Sequence, residues 1–177
     1  MARKILGMQF PKDVLWTALA LIVVLNVVLL AALQLFSPAP IAFEGQVFSL
    51  SPFASAAIIG VFLVLLVFGT YFAGRILGGQ GTFVATLTII VWFQSISLTL
   101  EAIQLGLVLI SPPIASIFGM LSLGALIWCF VNFVNILHGF ENLGKAILAI
   151  LFALIGTGLA AGMVLAILGL GPAGAAI

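Results

Sequence analysis

Five long apolar runs follow one another along this chain and limit what it can fold into. They cover residues 14–36, 52–74, 83–110, 114–137 and 146–169. A helix needs about 20 apolar residues to cross the hydrocarbon core of a bilayer. The runs are continuously apolar rather than alternating, and a strand of a membrane barrel would need only about ten residues. The sequence therefore predicts five transmembrane helices.

The composition agrees with this prediction and excludes a soluble domain. Of the 177 residues, 65% are hydrophobic and only 5% are charged, which is too few to cover a water-exposed surface. The connections are short, so we predict an all-α polytopic membrane protein whose neighbouring, mostly antiparallel helices form one bundle. The predicted division is a short amino-terminal segment at 1–13, the transmembrane domain at 14–169 and a short tail at 170–177.

The basic residues predict how the chain is oriented in the membrane. Three precede the first run, one lies between the second and third runs, and one lies between the fourth and fifth: Arg3, Lys4, Lys12, Arg75 and Lys145. All five fall on the same side of the predicted membrane. Because Lys and Arg are retained on the cytoplasmic side, we expect the amino terminus inside and the carboxyl terminus outside.

Polar side chains at membrane depth mark one face of the third run. Gln94, Glu101 and Gln104, together with Ser97, recur at steps of three and four residues, so they share a helix face that we expect to point into the bundle. Candidate partners are Gln34 and Asn26 of the first run and Asn132 of the fourth. Glu101 is the one carboxylate predicted within the membrane. It is either a proton or cation relay or a neutral group that hydrogen-bonds between helices.

Small residues in the last run predict close helix packing. The stretch "GLAAG" places Gly158 and Gly162 four residues apart, which lets another helix approach the backbone. The approaching helix could belong to this chain or to a second copy, and the sequence leaves both alternatives open.

Known catalytic and metal-binding patterns are not matched. His138, the only histidine, falls at the membrane boundary, no GxSxG elbow exists, and Asp13 is the only aspartate. His138 and Glu141 offer two metal ligands where a site needs three or four. "RILGGQGTF" lacks the lysine of a phosphate loop and predicts a glycine-permitted turn between helices instead. We expect no enzymatic activity, no metal, no cofactor and no nucleic-acid partner.

Several short motifs occur in an order that resembles a known family. "GRILGGQGTF" lies on one turn, "WFQ" in the third run, "PP" between the third and fourth, and "NFVNILHGFENLGKAI" leads into the last. Together with the five runs, they resemble the bacterial branch of the Yip (Ypt-interacting protein) family over most of residues 55–165. The corresponding loop-signature positions are Arg75, Gly78, Gly79, Gly81, His138, Gly139, Phe140, Glu141, Gly144 and Lys145.

The resemblance implies a five-helix integral membrane protein of a family without known enzymatic activity, in a bacterial inner membrane. Eukaryotic members act in vesicle trafficking and bind prenylated Rab-type GTPases. This chain has about 13 residues before its first run and no DLYGP-like segment, so the resemblance does not carry GTPase binding over.

Three functions are compatible with the sequence. The favoured one is a membrane scaffold or accessory subunit, whose partners are the lipid bilayer and other integral membrane proteins or further copies of itself. The second is a small transporter or channel that uses the polar face around Glu101. The third is a membrane enzyme in which His138 does the chemistry.

Overall fold

The computed structural model describes residues 10–36, 41–43, 46–48 and 51–167. Within these residues five helices are long and apolar enough to cross a membrane, which confirms the predicted all-α polytopic fold. They are α1 (Lys12–Phe36), α2 (Pro52–Ile76), α3 (Phe83–Ile110), α4 (Pro112–His138) and α5 (Leu143–Ile167). Arg3 and Lys4 lie outside the described residues, as does the predicted tail at 170–177. The orientation of the termini stays a prediction.

A short β-hairpin lies between α1 and α2. Its strands, β1 (Ile41–Phe43) and β2 (Gln46–Phe48), pair antiparallel with Ala42 opposite Val47. The hairpin was not predicted, because three-residue strands are too short to produce a recognisable alternation in the sequence.

Three helices begin with a polar cap. In each case a side-chain oxygen accepts a hydrogen bond from a backbone N–H of the first turn, which would otherwise have no partner. The capping pairs are Ser51 with Ala54 at α2 (3.2 Å), Thr82 with Ala85 at α3 (3.2 Å) and Asn142 with Gly144 at α5 (2.8 Å).

The described residues divide into two compact units, and three helices contribute to both. The first unit contains residues 61–90 and 130–167, and the second contains residues 10–60 and 91–129. Each unit has its own buried apolar side chains. In the first they include Val67, Leu87, Ile89, Ile90 and Val134, and in the second Leu15, Leu19, Ile22, Val91 and Ala115.

Small residues bring α2 and α5 together in the first unit. A Cβ added at Gly69 would lie 2.7 Å from Oγ1 of Thr157 and 3.1 Å from the backbone oxygen of Ala153. The Thr157 hydroxyl donates a hydrogen bond across the interface to the backbone oxygen of Leu65, at 3.2 Å. The two backbones are therefore close enough for a side chain of one helix to bond to the main chain of the other.

Candidate functional site

The turn between α2 and α3 uses a glycine to end the first helix. Gly78 has a φ of +83°, and its N–H donates to the Arg75 oxygen at 3.1 Å. The N–H of Gly79 donates to the Gly74 oxygen at 2.8 Å. These two bonds form a Schellman motif, in which the left-handed residue lacks a side chain. The predicted glycine-permitted turn is confirmed at Gly78.

The turn between α4 and α5 has the same construction. Gly139 has a φ of +63°, and the N–H of Phe140 donates to the Asn135 oxygen at 3.2 Å. Glu141 also takes a left-handed conformation, with a φ of 53°. Gly139 thus takes one left-handed position, and Glu141 rather than Gly144 takes the second. Gly144 instead donates its N–H to the Asn142 cap.

His138 is enclosed between these two turns. Its side chain is 1% exposed, whereas the sequence predicted only that it falls at the membrane boundary. A Cβ at Gly74 would overlap the imidazole, and a Cβ at Gly81 would lie 2.7 Å from Nδ1. A Cβ at Gly79 would lie 2.6 Å from the Cβ of His138. Gly78 thus provides backbone freedom, while the other three glycines provide space for the ring.

The two turns are also joined through the main chain. The N–H of Gln80 donates to the backbone oxygen of His138, at 3.1 Å. The ring of Phe140 stacks on the imidazole, with centroids 5.3 Å apart. We name the group formed by Gly74, Gly79, Gly81, His138 and Phe140 the histidine seat.

The imidazole makes no hydrogen bond from either ring nitrogen. Nδ1 and Nε2 are buried and make no hydrogen bond, and the backbone of Thr70 lies beside the ring. The hydroxyl of Thr70 and the amide oxygen of Asn135 are likewise buried without a partner. An enclosed ring cannot reach a substrate as a general base must, so packing is its evident role.

The other loop-signature residues surround the seat without forming a site. The side chains of Arg75, Glu141 and Lys145 are exposed. Among the described residues, no group of three or more His, Cys, Asp and Glu side chains could hold a metal ion. His138 and Glu141 are thus not joined by a third ligand.

A groove in the second unit brings together part of the polar cluster on α3. Glu101 and Gln104 line a cavity of about 290 Å³ together with Asn26 of α1. Its remaining walls are aliphatic: Leu29, Leu30, Leu33, Ile59, Leu105 and Val108. Gln94 and Asn132 are not among the lining residues. The three-and-four spacing on α3 therefore located two members of this groove.

The hydrogen bonds in the groove stay within single helices. The hydroxyl of Ser97 donates to Oε1 of Glu101 at 2.9 Å, and Nδ2 of Asn26 donates to the Ile22 oxygen at 2.9 Å. Glu101 is exposed, rather than enclosed as the sequence suggested. Its described hydrogen bond comes from Ser97, one turn earlier on the same helix.

Gln104 packs on the backbone of α4. A Cβ at Gly119 would lie 2.7 Å from Nε2 of Gln104 and 3.2 Å from its Cδ. The glycine therefore leaves room for the amide, and this contact fixes one end of the groove.

The glycine pair of α5 has no neighbour in the described part of the chain. A Cβ at Gly158 or Gly162 would meet no described atom within 4 Å. A different face of the same helix, with Ala149, Ala153 and Thr157, is buried at 1% exposure each. The predicted packing motif is thus not used against the described helices.

Comparison with known proteins gives a family for most of the chain. The model of the Yip1 domain matches residues 2–168, a wider span than the motifs cover. Searches among curated proteins and among solved structures gave no match. The matched span includes all five helices, both glycine turns and the groove. The chain therefore belongs to the Yip family of multi-pass membrane proteins.

Proposed function

We propose that this chain is a non-catalytic scaffold or accessory subunit that holds a larger membrane complex together through α5. The observation that carries the proposal is the open glycine pair of this helix. No described atom would lie within 4 Å of a Cβ at Gly158 or Gly162. Glycines four residues apart let a second helix approach at backbone distance, where dispersion contacts are numerous.

The two faces of α5 differ in how they are used. Ala149, Ala153 and Thr157 are buried, so packing within the chain uses that face. Leu159 and Met163, next to the glycine pair, are 72% and 68% exposed. This division favours packing between chains over the alternative that the glycine pair packs within the chain.

The site chemistry supports a function without catalysis. His138 is enclosed in the histidine seat and has no access to a substrate. Among the described residues, His138 belongs to no group of three or more His, Cys, Asp and Glu side chains that could hold a metal ion, and the family is not known for enzymatic activity. Both considerations weigh against the membrane enzyme.

The groove gives limited support to the alternative of a small transporter or channel. One carboxylate and two amides line it, and the other six side chains are aliphatic. A path for ions or polar solutes needs polar groups along its length. An accessory role in a bacterial inner membrane, next to lipid and other membrane proteins, accounts better for these features.

The test is photo-crosslinking in native membranes from a photoreactive residue at position 159. We expect adducts with a membrane protein, either a partner or a second copy, because this position flanks the glycine pair. Gly158→Ile combined with Gly162→Ile should reduce the adducts at least fivefold. Gly124→Ile is the matched control, since a Cβ there also meets no described atom within 4 Å. Protein adducts that persist in the double variant, or adducts with lipid alone, would refute the proposal.

A further inference from the structure

We propose that the groove beside Glu101 binds a single-chain aliphatic primary amine that enters from the membrane. The groove belongs to the second unit, whereas the glycine pair of α5 belongs to the first. The inference therefore does not rest on the proposed scaffold function, and each can fail without the other.

The walls of the groove suit a hydrocarbon chain. Six of its nine lining side chains are aliphatic, and its volume of about 290 Å³ approaches the range of small-molecule sites. A second cavity of about 330 Å³ shares Leu29 as a wall. Its other lining residues are Leu25, Val28, Leu98, Thr99 and Ala102. Both cavities therefore present aliphatic side chains of α1 and α3, the surroundings that a hydrocarbon chain prefers.

The polar end of the groove offers more acceptors than donors. Oε1 of Glu101 accepts one bond from Ser97, and no described donor bonds to Oε2. Asn26 uses one of its two amide N–H groups on the Ile22 oxygen, and its Oδ1 accepts no bond from a described donor. An ammonium group carries three N–H donors and no acceptor, which complements this arrangement. A hydroxyl carries one donor, and a carboxylate carries none.

Charge at the groove selects against lipids that carry phosphate. Glu101 makes no ion pair with a described residue, and residues 10–60 and 91–129 contain Lys12 as their one basic residue. Lys12 precedes Asn26 by 14 residues on α1, which is about 21 Å along the helix. A phosphate would place a second negative charge beside Glu101 without a cation to balance it. An amine without phosphate avoids this cost.

The depth of Glu101 favours a ligand that arrives through the bilayer. It lies nine residues before Ile110, the last residue of α3, or about 14 Å along the helix. An ion pair formed there is much less screened than in water, because the surroundings are apolar. The ammonium supplies the opposite charge, and the chain stays among aliphatic side chains and lipid.

The experiment uses the full chain in phosphatidylcholine nanodiscs and two photoreactive probes. One is a twelve-carbon primary amine with a diazirine in its chain, and the other is the matched alcohol. We expect the amine to label residues 26–33 and 101–108 at a concentration at least tenfold lower than the alcohol. Glu101→Gln should remove this advantage, because the amide keeps the shape and the Ser97 bond but not the charge. Glu141→Gln, which changes an exposed carboxylate outside the groove, should leave it unchanged.

A second variant tests the groove itself. Val108→Phe keeps the carboxylate but fills the cavity, so labelling by both probes should fall at least fivefold. Circular dichroism checks that each variant keeps its helices. Equal potency of amine and alcohol on the unmodified chain would overturn the proposal, and so would Glu101→Gln behaving like the unmodified chain. Labelling of residues outside 26–33 and 101–108, or labelling that persists in Val108→Phe, would also overturn the proposal.

Discussion

The imidazole of His138 occupies the space that a side chain at Gly74 would need. The contact joins the last turn of α2 to the last residue of α4, within the first compact unit. The glycine side of the contact is main chain, which cannot move aside as the end of a flexible side chain can. The histidine side is held by Phe140 and by the bond from Gln80. Both positions are thus closely constrained.

Gly74→Ala should destabilise the protein by about 1–3 kcal/mol, because the added methyl group overlaps the ring and the core must shift. The measurement is the free energy of unfolding in mixed micelles titrated with SDS. Gly106→Ala is the matched control on another helix, since a Cβ there meets no described atom within 4 Å. A Gly74→Ala protein as stable as the control would contradict the close contact.

His138→Ala should rescue part of the damage caused by Gly74→Ala. Alone it should cost about 1–3 kcal/mol, because it leaves a cavity in the histidine seat. Combined with Gly74→Ala it should cost less than the sum, since the new methyl group can enter that cavity. The coupling free energy from the double-mutant cycle should be about 0.5–3 kcal/mol. Additive effects within about 0.5 kcal/mol would show that the two residues do not meet.

Substitutions at the two left-handed positions of the α4–α5 turn should change the stability of the protein in opposite directions. Glu141→Gly should stabilise the protein by about 0.5–1 kcal/mol, because a side chain is strained at a φ of 53°. Gly139→Ala should destabilise it by about 1 kcal/mol through its φ of +63° alone, since no described atom lies near its Cβ position. Thermal unfolding in detergent measures both effects. Equal midpoints for the two variants would refute the assigned turn geometry.

The hydrogen bond between α5 and α2 should make a small, measurable contribution to the free energy of unfolding. Thr157→Val keeps the shape of the side chain but removes its bond to the Leu65 oxygen, and should cost about 0.6 kcal/mol, up to about 1.7. Thr99→Val is the matched control, because that hydroxyl donates to Ser95 on its own helix at 2.8 Å. SDS titration measures the free energy of unfolding of both variants. If Thr99→Val lowers it as much as Thr157→Val does, the result would argue against a specific interhelical bond.

The helices and the first turn could be predicted because their causes are local. The length and hydropathy of an apolar run determine whether it spans the membrane as a helix. The turn at Gly78 follows from the residue type, since a left-handed position favours glycine. Three-and-four spacing likewise placed Glu101 and Gln104 on one groove, and Asn26 of α1 was among the candidate partners, whereas the shape of the groove came from tertiary packing.

The burial of His138 could not be predicted in the same way. A single histidine at the end of an apolar run belongs to no periodic pattern that would predict its burial. Its surroundings come from Gly74 at the end of α2 and from Gly79 and Gly81 in the turn that follows. The one available signal was the density of glycine in "GRILGGQG", which exceeds what a single Schellman motif requires. The left-handed Glu141 was missed for a related reason, since the sequence favours glycine at such a position.

The histidine seat also constrains the order in which the protein can assemble during synthesis. Its glycines lie between residues 74 and 81, whereas the ring that fills it comes more than fifty residues later in the chain. Until the end of α4 has been synthesised, the space beside these glycines has no imidazole to fill it. Insertion of the helices and closure of the two turns are separate events, and closure comes second.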